Sequence, residues 1–241
     1  MHHFLEFSGV GYRYADGHEA LTDVNLKISH GEHVALLGAN GAGKSTLQLL
    51  TNGLLMASRG EVIVGGVKVQ KESLALVRQS VGLVFQDSDN QLFMPTVEED
   101  VAFGPRNMGL TKAEIEERVS GALKVVGAEH LRGRSPSQLS GGEKRRVAIA
   151  TVLSMTPSVL VMDEPTSNLD PRSRRQLIDL LKGFSHTLLV ATHDMNFAAE
   201  LATRAIVLSQ GHVVADEECG QLFKNRVLLE SCSLEQPYGY F

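Results

Sequence analysis

The stretch Gly38-Ala39-Asn40-Gly41-Ala42-Gly43-Lys44-Ser45-Thr46 decides the fold predicted for this chain. It fits the phosphate-loop pattern G-x-x-x-x-G-K-[ST]. Its glycines leave room for backbone N–H groups to curl around phosphate oxygens. Lys44 can bring a positive charge to the β- and γ-phosphates, and Ser45 can offer its hydroxyl to Mg²⁺. The stretch predicts a nucleotide site, and a plain turn between a strand and a helix is the alternative.

The residues on either side of this stretch favour the nucleotide site. His33–Leu37 is an apolar run of the length of a buried strand, and residues 47–50 read as a helix. A helix that begins near Gly43 directs its free N–H groups and the positive end of its dipole at the same anion. This order predicts an α/β domain built around a phosphate site.

Composition is that of an ordinary globular protein. Of the 241 residues, 43% are hydrophobic and 21% are charged, which suits one large domain or two closely joined lobes. The net charge of −5 argues against a broad nucleic-acid surface, because such a surface needs a basic face. No apolar run approaches the roughly 18 residues needed to span a bilayer. Residues 1–6 do not resemble a secretory signal.

Two minor features have structural interpretations. Cys219 and Cys232 have no metal or redox spacing, so we expect two reduced thiols in a cytosolic protein. The pair His2-His3 is expected to be a solvated chain end, with metal binding as the alternative.

Two adjacent carboxylates end a predicted buried strand. Residues 158–162 lead to Asp163 and Glu164, at the strand end where ligands of open α/β sheets gather. Two carboxylates at the end of an apolar strand fit core packing poorly. Asp163 is predicted to bind Mg²⁺ together with Ser45, and Glu164 is predicted to orient and polarise the attacking water.

Two further apolar strands end at candidate site residues. Residues 81–85 lead to Gln86, a predicted Mg²⁺ ligand that begins a polar loop, and residues 187–192 lead to His193. A lone histidine is more often structural, but at this sheet edge His193 is predicted to contact the γ-phosphate. With Lys44 and Glu164 it completes the predicted catalytic set.

A second glycine-rich element is Leu139-Ser140-Gly141-Gly142-Glu143, followed by Lys144-Arg145-Arg146. Ser140 and Glu143 match a helix capping box, which is the structural interpretation. Two glycines in a first helical turn cost up to about 1 kcal/mol each in helix propensity. Exposed N–H groups that face an anion would justify them, so we predict a second anion site.

Tyr14 and Asp170 are candidates of a different kind. Tyr14 lies in the turn-rich stretch 12–17, thirty residues before Lys44. It could stack on a purine or pack on a sheet edge, and these residues alone leave both open. Asp170 precedes Pro171 and is predicted to be a helix N-cap.

The remaining chain divides by its patterns. Residues 4–7 and 24–28 alternate as strands, and 61–69 and 204–215 predict hairpins. The predicted single domain has these parts: a nucleotide-binding core with an antiparallel β region (1–95 and 156–215), a helical subdomain (96–155) and a short C-terminal tail (216–241).

Together these motifs resemble the ATP-binding-cassette (ABC) family over essentially the whole chain. The matching elements, in order, are the phosphate loop, Gln86, Leu139-Ser140-Gly141-Gly142-Glu143, Leu160-Val161-Met162-Asp163-Glu164, Ser167-Asn168-Leu169-Asp170 and His193. The resemblance implies an α/β P-loop NTPase of the ABC type, with a RecA-like core sheet, an N-terminal antiparallel β region and an inserted helical subdomain. It implies ATP and Mg²⁺ as cofactors of an ATP-hydrolysing enzyme.

The resemblance also implies a head-to-tail dimer. Each ATP would lie between Lys44 of one subunit and Ser140-Gly141-Gly142 of the other, and Tyr14 would stack on the adenine. Glu143 and Asp170 belong to the expected nucleotide-binding set together with residues 38–46. Glu143 stands where many members carry Gln, a change that preserves the helix cap.

Longer features resemble the energy-coupling-factor importers, which take up cobalt, nickel or vitamins. The matching stretches are Val84-Phe85-Gln86, Gln91-Leu92-Phe93, Thr96-Val97-Glu98-Glu99-Asp100-Val101-Ala102-Phe103-Gly104-Pro105 and Glu143-Lys144-Arg145-Arg146-Val147-Ala148-Ile149-Ala150. Asp87-Ser88-Asp89-Asn90 departs from the Asn-Pro-Asp-Asp common in that group, which leaves open which coupling protein the loop fits.

The expected function is hydrolysis of ATP that energises import of cobalt or nickel ions. Expected partners are a second ATPase subunit, identical or related, a transmembrane coupling protein and a substrate-binding membrane protein, with no nucleic acid. The chain would lie on the cytoplasmic face of the cell membrane, and residues 86–104 are the predicted docking surface. A vitamin importer and another ABC transporter are alternatives, and a soluble ABC ATPase of DNA repair or translation is a more distant one.

Overall fold

The computed structural model describes residues 3–240, with His3 described by its backbone alone. The side chains of the His2-His3 pair therefore lie outside the described residues. The strands are β1 (His3–Arg13), β2 (Glu19–Ser29), β3 (His33–Leu37), β4 (Arg59–Val64), β5 (Val67–Lys68), β6 (Val81–Val84), β7 (Val159–Asp163), β8 (Thr187–Thr192), β9 (Arg204–Ser209) and β10 (His212–Glu218). The α-helices are α1 (Lys44–Thr51), α2 (Leu74–Ser80), α3 (Val97–Asn107), α4 (Lys112–Val125), α5 (Gly141–Leu153), α6 (Pro171–Lys182), α7 (Met195–Leu201), α8 (Cys219–Leu222) and α9 (Arg226–Ser231).

The main sheet has the strand order β10-β9-β3-β8-β7-β6. Its strands are parallel except β10, which pairs antiparallel with β9. Every residue of β6 and β8 is buried, because helices and the second sheet cover both faces, and this explains their continuous apolar sequences. The strands that precede the phosphate loop, Asp163 and His193 are neighbours in this sheet. Their carboxyl ends therefore share one edge.

A second sheet, with the order β2-β1-β4-β5, is antiparallel. The strands are longer than predicted, since β1 continues through Tyr12 and Arg13, where a turn was expected. The pairing of β1 with β2 shifts register between Phe7 and Val10 and again before Tyr12. Such bulges interrupt the alternation of apolar and polar residues by which strands are recognised, so the second half of β1 was missed.

Three helices, α3, α4 and α5, occupy the region predicted to be helical. Thr96 caps α3, because its hydroxyl accepts a hydrogen bond from the Glu99 N–H. Thr111 and Glu114 form the predicted capping box of α4. The apolar faces of these helices pack together and onto the main sheet, so their orientation relative to the nucleotide-binding core depends on shared buried contacts.

The end of the chain packs against the edge of the main sheet that carries β9. Strand β10 runs to Glu218, three residues beyond the predicted hairpin strand, and α8 and α9 follow. Cys219 and Cys232 are free thiols in the apolar cluster between these helices and the sheet. They were expected to be structural or surface thiols, and their burial fits the structural role. Among residues 3–240, no helix combines the length and apolarity required to cross a bilayer.

Candidate functional site

A cavity of about 360 Å³ opens at the carboxyl edge of the main sheet. It brings together residues from the phosphate loop, from the ends of three strands of the main sheet, and from the β1–β2 connection and the start of β2 in the antiparallel sheet. The lining residues are Tyr14, His18, Ala20, Asn40, Gly41, Ala42, Gly43, Lys44, Ser45, Thr46, Gln86, Asp163, Glu164 and His193.

The phosphate loop depends on glycine at two positions. Gly38 has φ +153°, and a Cβ there would lie 2.4 Å from the Leu208 carbonyl oxygen. Gly43 has φ +106°, and a Cβ there would lie 2.6 Å from the Ala20 carbonyl oxygen. Both conformations are unfavourable for other residues, and both contacts are with backbone that cannot move aside. The two glycines therefore let the loop pass close to its neighbours.

Lys44 is held inside the loop by the backbone. Its Nζ donates hydrogen bonds to the carbonyl oxygens of Gly38 (2.7 Å) and Ala39 (3.2 Å), and it lies 3.9 Å from Glu164 Oε1. Burial lowers the pKa of Lys44, and the nearby carboxylates of Glu164 and Asp163 oppose that shift. The ammonium group is thus fixed at the floor of the cavity, where a phosphate would meet it.

The predicted Mg²⁺ ligands also meet in the cavity. Ser45 Oγ, at the start of α1, donates a hydrogen bond to Asp163 Oδ2 at the end of β7 (2.7 Å). Burial raises the pKa of Asp163, and the bond from Ser45 opposes that rise. Gln86 lines the same cavity. Hydroxyl, carboxylate and amide oxygens are the hard ligands that Mg²⁺ prefers, so this donor set fits the ion.

Glu164 and His193, the predicted catalytic pair, contact each other. Glu164 is 6% exposed, and its Oε1 lies 2.9 Å from His193 Nδ1. Its backbone adopts φ +43°, which is uncommon for a residue with a side chain and frequent at functional sites. The other carboxylate oxygen accepts hydrogen bonds from Thr192 Oγ1 and the His193 N–H. The β8 end thus orients the carboxylate.

Tyr14 lies at the rim of the cavity. It is 37% exposed, and its hydroxyl is 2.9 Å from Thr46 Oγ1 in the phosphate loop. The His18 ring is nearly parallel to it, with centroids 6.3 Å apart. The Tyr12 and Tyr14 rings are nearly perpendicular, with centroids 4.9 Å apart. Tyr14 thus packs against Tyr12 of the antiparallel sheet and also lines the cavity, so the two sequence interpretations are compatible. His18 was not predicted.

The Ser140 turn lies elsewhere in the same chain. Within residues 3–240, none of the residues 140–143 lines the phosphate cavity. The capping box is present, because Glu143 Oε2 accepts hydrogen bonds from the Ser140 N–H and hydroxyl. Asp170 likewise caps α6 and does not line the cavity.

The two glycines of this turn differ in their surroundings. A Cβ on Gly142 would lie 2.4 Å from Ser173 Oγ on α6, so a larger residue there would have to displace the Ser173 side chain. A Cβ on Gly141 would meet nothing closer than 3.9 Å, at Asn168 O. Packing within the chain does not explain Gly141.

Arg145 is a functional candidate that the sequence analysis missed. It is 4% exposed on α5, and its guanidinium donates hydrogen bonds to the carbonyl oxygens of Phe85 (2.6 Å) and Gln86. Burial lowers the pKa of Arg145. The available signal was a basic residue one helical turn before the buried Ile149, on a face that is otherwise apolar.

The prediction that Gln91 belongs to the docking surface is wrong, because its side chain points inward. Its Oε1 accepts from the Phe85 N–H, and its Nε2 donates to Ala148 O and Thr151 Oγ1, both at 2.8 Å. A polar side chain that satisfies three internal groups joins the loop to α5 and is not free for a partner.

Comparison with known proteins identifies the family. The family model "ABC transporter" matches residues 21–167. A Geobacter sulfurreducens protein, whose name places it among ABC transporter ATP-binding proteins, is 54% identical over 98% of this chain and 95% of its own. The energy-coupling factor transporter ATP-binding protein EcfA of Methanothermobacter thermautotrophicus is 45% identical over 97% of this chain and 76% of its own.

Solved structures agree with this result. Clostridium perfringens cbiO1, described as part of the ABC transporter complex cbiONQ, has a TM-score of 0.85 and 38% identity over 96% of this chain and 94% of its own. The ATP-binding cassette MJ0796, solved as a dimer bound to ADP and Pi, has a TM-score of 0.80 and 32% identity over 89% of this chain and 98% of its own. The predicted α/β P-loop NTPase fold is confirmed, and the chain belongs to the ABC transporter family as an ATP-hydrolysing domain.

Proposed function

We propose that this ATPase energises import through a transporter of the energy-coupling-factor type, with cobalt or nickel ions as cargo. The similarity to EcfA and to cbiO1 supports this class. A vitamin importer of the same type is the alternative. The observation on which the transport proposal rests is an exposed aromatic surface, formed by Phe93 and Phe103 in the segment that follows Gln86 along the chain. The chain would act at the cytoplasmic face of the membrane.

Two ATPase subunits would share each site in a head-to-tail dimer. Gly141 has free space around it that its own chain does not use, and Ser140 lies outside the cavity that holds Lys44. A second subunit, identical or related, would bring its Ser140 turn to the γ-phosphate, where helix N–H groups favour an anion. The dimeric structure of MJ0796 with ADP and Pi supports a dimer of ATPase subunits.

The residues of the cavity divide the chemistry among them. Residues 38–46 hold the phosphates, Lys44 neutralises developing negative charge, and Tyr14 stacks on the base. Glu164 accepts a proton from the water that attacks the γ-phosphate, and His193 contacts the γ-phosphate. Mg²⁺, bound through Ser45, Asp163 and Gln86, would neutralise phosphate charge.

The docking surface is the aromatic pair Phe93 and Phe103. Their rings meet edge to face with centroids 5.0 Å apart, and they are 62% and 42% exposed. Asp100 accepts hydrogen bonds from the Phe93 and Met94 N–H groups, which fixes this segment on α3. Exposed aromatic pairs on a rigid support are typical of protein interfaces. The occupant we propose is the transmembrane coupling protein.

The substitution Phe93→Ala tests this proposal. It should reduce the amount of co-purified membrane protein at least about tenfold, as expected for an aromatic hot spot, and it should abolish ATP-dependent uptake. Val214→Ala is the matched control, because Val214 is 44% exposed on β10, at the opposite edge of the main sheet. ATP hydrolysis by the isolated chain reports folding in both variants. Normal assembly and uptake with Phe93→Ala would refute the assignment.

The proteins that co-purify identify the transporter class. A small polytopic membrane protein together with a separate substrate-binding membrane protein is the expected result. Recovery of a soluble binding protein would assign the chain to another class of ABC importer. The cargo is identified by measuring uptake of cobalt ions, nickel ions and vitamins by cells that express the complex.

A further inference from the structure

Thr192 is a buried residue to which the mechanism above gives no role. It is the last residue of β8 and has no exposed surface. Its Oγ1 lies 3.0 Å from Glu164 Oε2 and accepts a hydrogen bond from the Asp194 N–H at 3.0 Å. A hydroxyl has one proton to donate. Since an ionised carboxylate only accepts, that proton points to Glu164.

The two oxygens of Glu164 consequently have different surroundings. Oε2 accepts from the Thr192 hydroxyl and, at 3.3 Å, from the His193 N–H. Oε1 faces His193 Nδ1 and Lys44 Nζ, both of which line the nucleotide cavity. Thr192 holds one oxygen back against β8, and this leaves the other directed at the cavity.

We propose that Thr192 is a positioning residue for ATP hydrolysis, which sets the orientation in which Glu164 meets the attacking water. The inference rests on the role proposed for Glu164. Rotation of a carboxylate away from its productive orientation reduces the rate of the chemical step while leaving substrate contacts in place. Glu164 Oε2 takes the Thr192 hydrogen bond inside the fold, where Thr192 has no exposed surface, so no water competes for that bond.

The substitution Thr192→Val removes the hydroxyl at nearly constant shape. It should lower kcat for ATP by about 10- to 100-fold with the KM for ATP changed less than about threefold, because the lost contact acts on the chemical step. Thr192→Ser restores the hydroxyl and should restore kcat to within about threefold of the natural protein. If Thr192→Val does not fold, Thr192→Ala removes the same group, and binding of a fluorescent ATP analogue reports an intact site.

Thr187→Val is the matched control. Thr187 is the first residue of the same strand, it is equally buried, and its hydroxyl accepts a hydrogen bond from the Gly31 N–H. Loss of a buried hydroxyl there should lower the thermal midpoint and leave kcat unchanged. A merely structural role of Thr192 would give the same pattern as Thr187, and that result would overturn the proposal.

A double-mutant cycle with Glu164→Gln separates the two proposals. Glu164→Gln alone should slow hydrolysis at least about 100-fold, and adding Thr192→Val should cause no further loss, since Thr192 acts through Glu164. If the two substitutions instead reduce kcat independently, so that their fold-reductions multiply in the double variant, the role of Thr192 is overturned. Normal hydrolysis by Glu164→Gln would instead overturn the role of Glu164.

Discussion

Asp100, on α3, is a carboxylate that is 2% exposed. Its Oδ1 accepts the two backbone hydrogen bonds that hold the Phe93 segment, whereas Oδ2 is buried without a hydrogen-bond partner among the described residues. Burial raises the pKa of Asp100 above its ordinary value of 3.8, and the two backbone bonds oppose the rise. The carboxyl proton of Asp100 is therefore bound more tightly in the folded chain than in the unfolded chain. The free energy of unfolding falls as pH rises from about 3.8 through the raised pKa of the folded chain.

Asp100→Asn tests this titration. The amide keeps an acceptor for both N–H groups and removes the ionisation, so the variant should gain thermal stability relative to the natural protein as pH increases from about 4 to about 8. Asp179→Asn, at an exposed carboxylate on α6, controls for the loss of one charge. The measurement is the thermal midpoint of each protein across the pH range. A difference that is constant with pH would contradict the expectation.

Residues that directly follow an apolar strand could be located from the sequence. Lys44, Asp163 and Glu164 follow apolar strands, and this order alone indicates the sheet edge at which they meet. Thr192 was missed because a threonine in an apolar strand is typical of strands in general, and Arg145 was missed because its partners are backbone carbonyls. Arg145 bonds to carbonyls 59 and 60 residues away, and backbone carbonyls leave no trace in a sequence.

Helix α5 and the loop that begins at Gln86 are joined by several side-chain contacts and form one unit. Arg145 holds the Phe85 and Gln86 carbonyls, Gln91 bonds to two groups on α5, and Lys144 pairs with Asp89. The same helix begins at the Ser140 turn. Displacement of that turn is therefore expected to move the loop with it, because two elements joined by several side chains shift together.

Arg145→Gln should loosen this unit. The shorter, neutral side chain cannot reach both carbonyls, so we expect amide hydrogen exchange in residues 85–91 to accelerate at least about tenfold. Arg146→Gln removes an equal charge one position further along α5 without removing the two bonds, and it is the matched control. Hydrogen exchange with mass spectrometry measures both. Equal protection in the two variants would show that the loop is held by other contacts.

The extent of β1 is the element that sequence patterns described least well. Bulges between Phe7 and Tyr12 change which side chains face the core, so alternation breaks although pairing continues. The helices were predicted more closely, because caps such as Thr111 and Asp170 are local signals that act within three residues.

For the whole molecule, the shared-site arrangement makes a quantitative prediction. Lys44→Ala would disable the phosphate loop of its own chain. Gly141→Asp would disable the turn offered to the partner, and free space around Gly141 lets its own chain accept the side chain. Each variant alone should be inactive. An equal mixture should regain about a quarter of the natural rate, since half of randomly formed dimers are mixed and each has one intact site of two.

ATP hydrolysis by the separate and mixed variants measures this recovery. Chains that each carry both substitutions provide the control, because mixing them with themselves or with either variant creates no intact site. A mixture that stays inactive would argue against sites shared between two copies of this chain. It would favour pairing with a related ATPase, which the sequence left open.

The hydrogen bonds that Lys44 makes to Gly38 and Ala39, together with the bond from Ser45 to Asp163, have a consequence for affinity. At these two side chains a nucleotide and its metal ion would bind by exchange, since each new contact there replaces one that the protein already makes. The net gain for each of these contacts is consequently smaller than the roughly 1.5–3 kcal/mol typical of a hydrogen bond to a charged group. In return, Lys44 and Asp163 keep hydrogen-bond partners when the site is empty. The phosphate loop therefore keeps its shape between turnovers, and release of product leaves no buried charge without a partner.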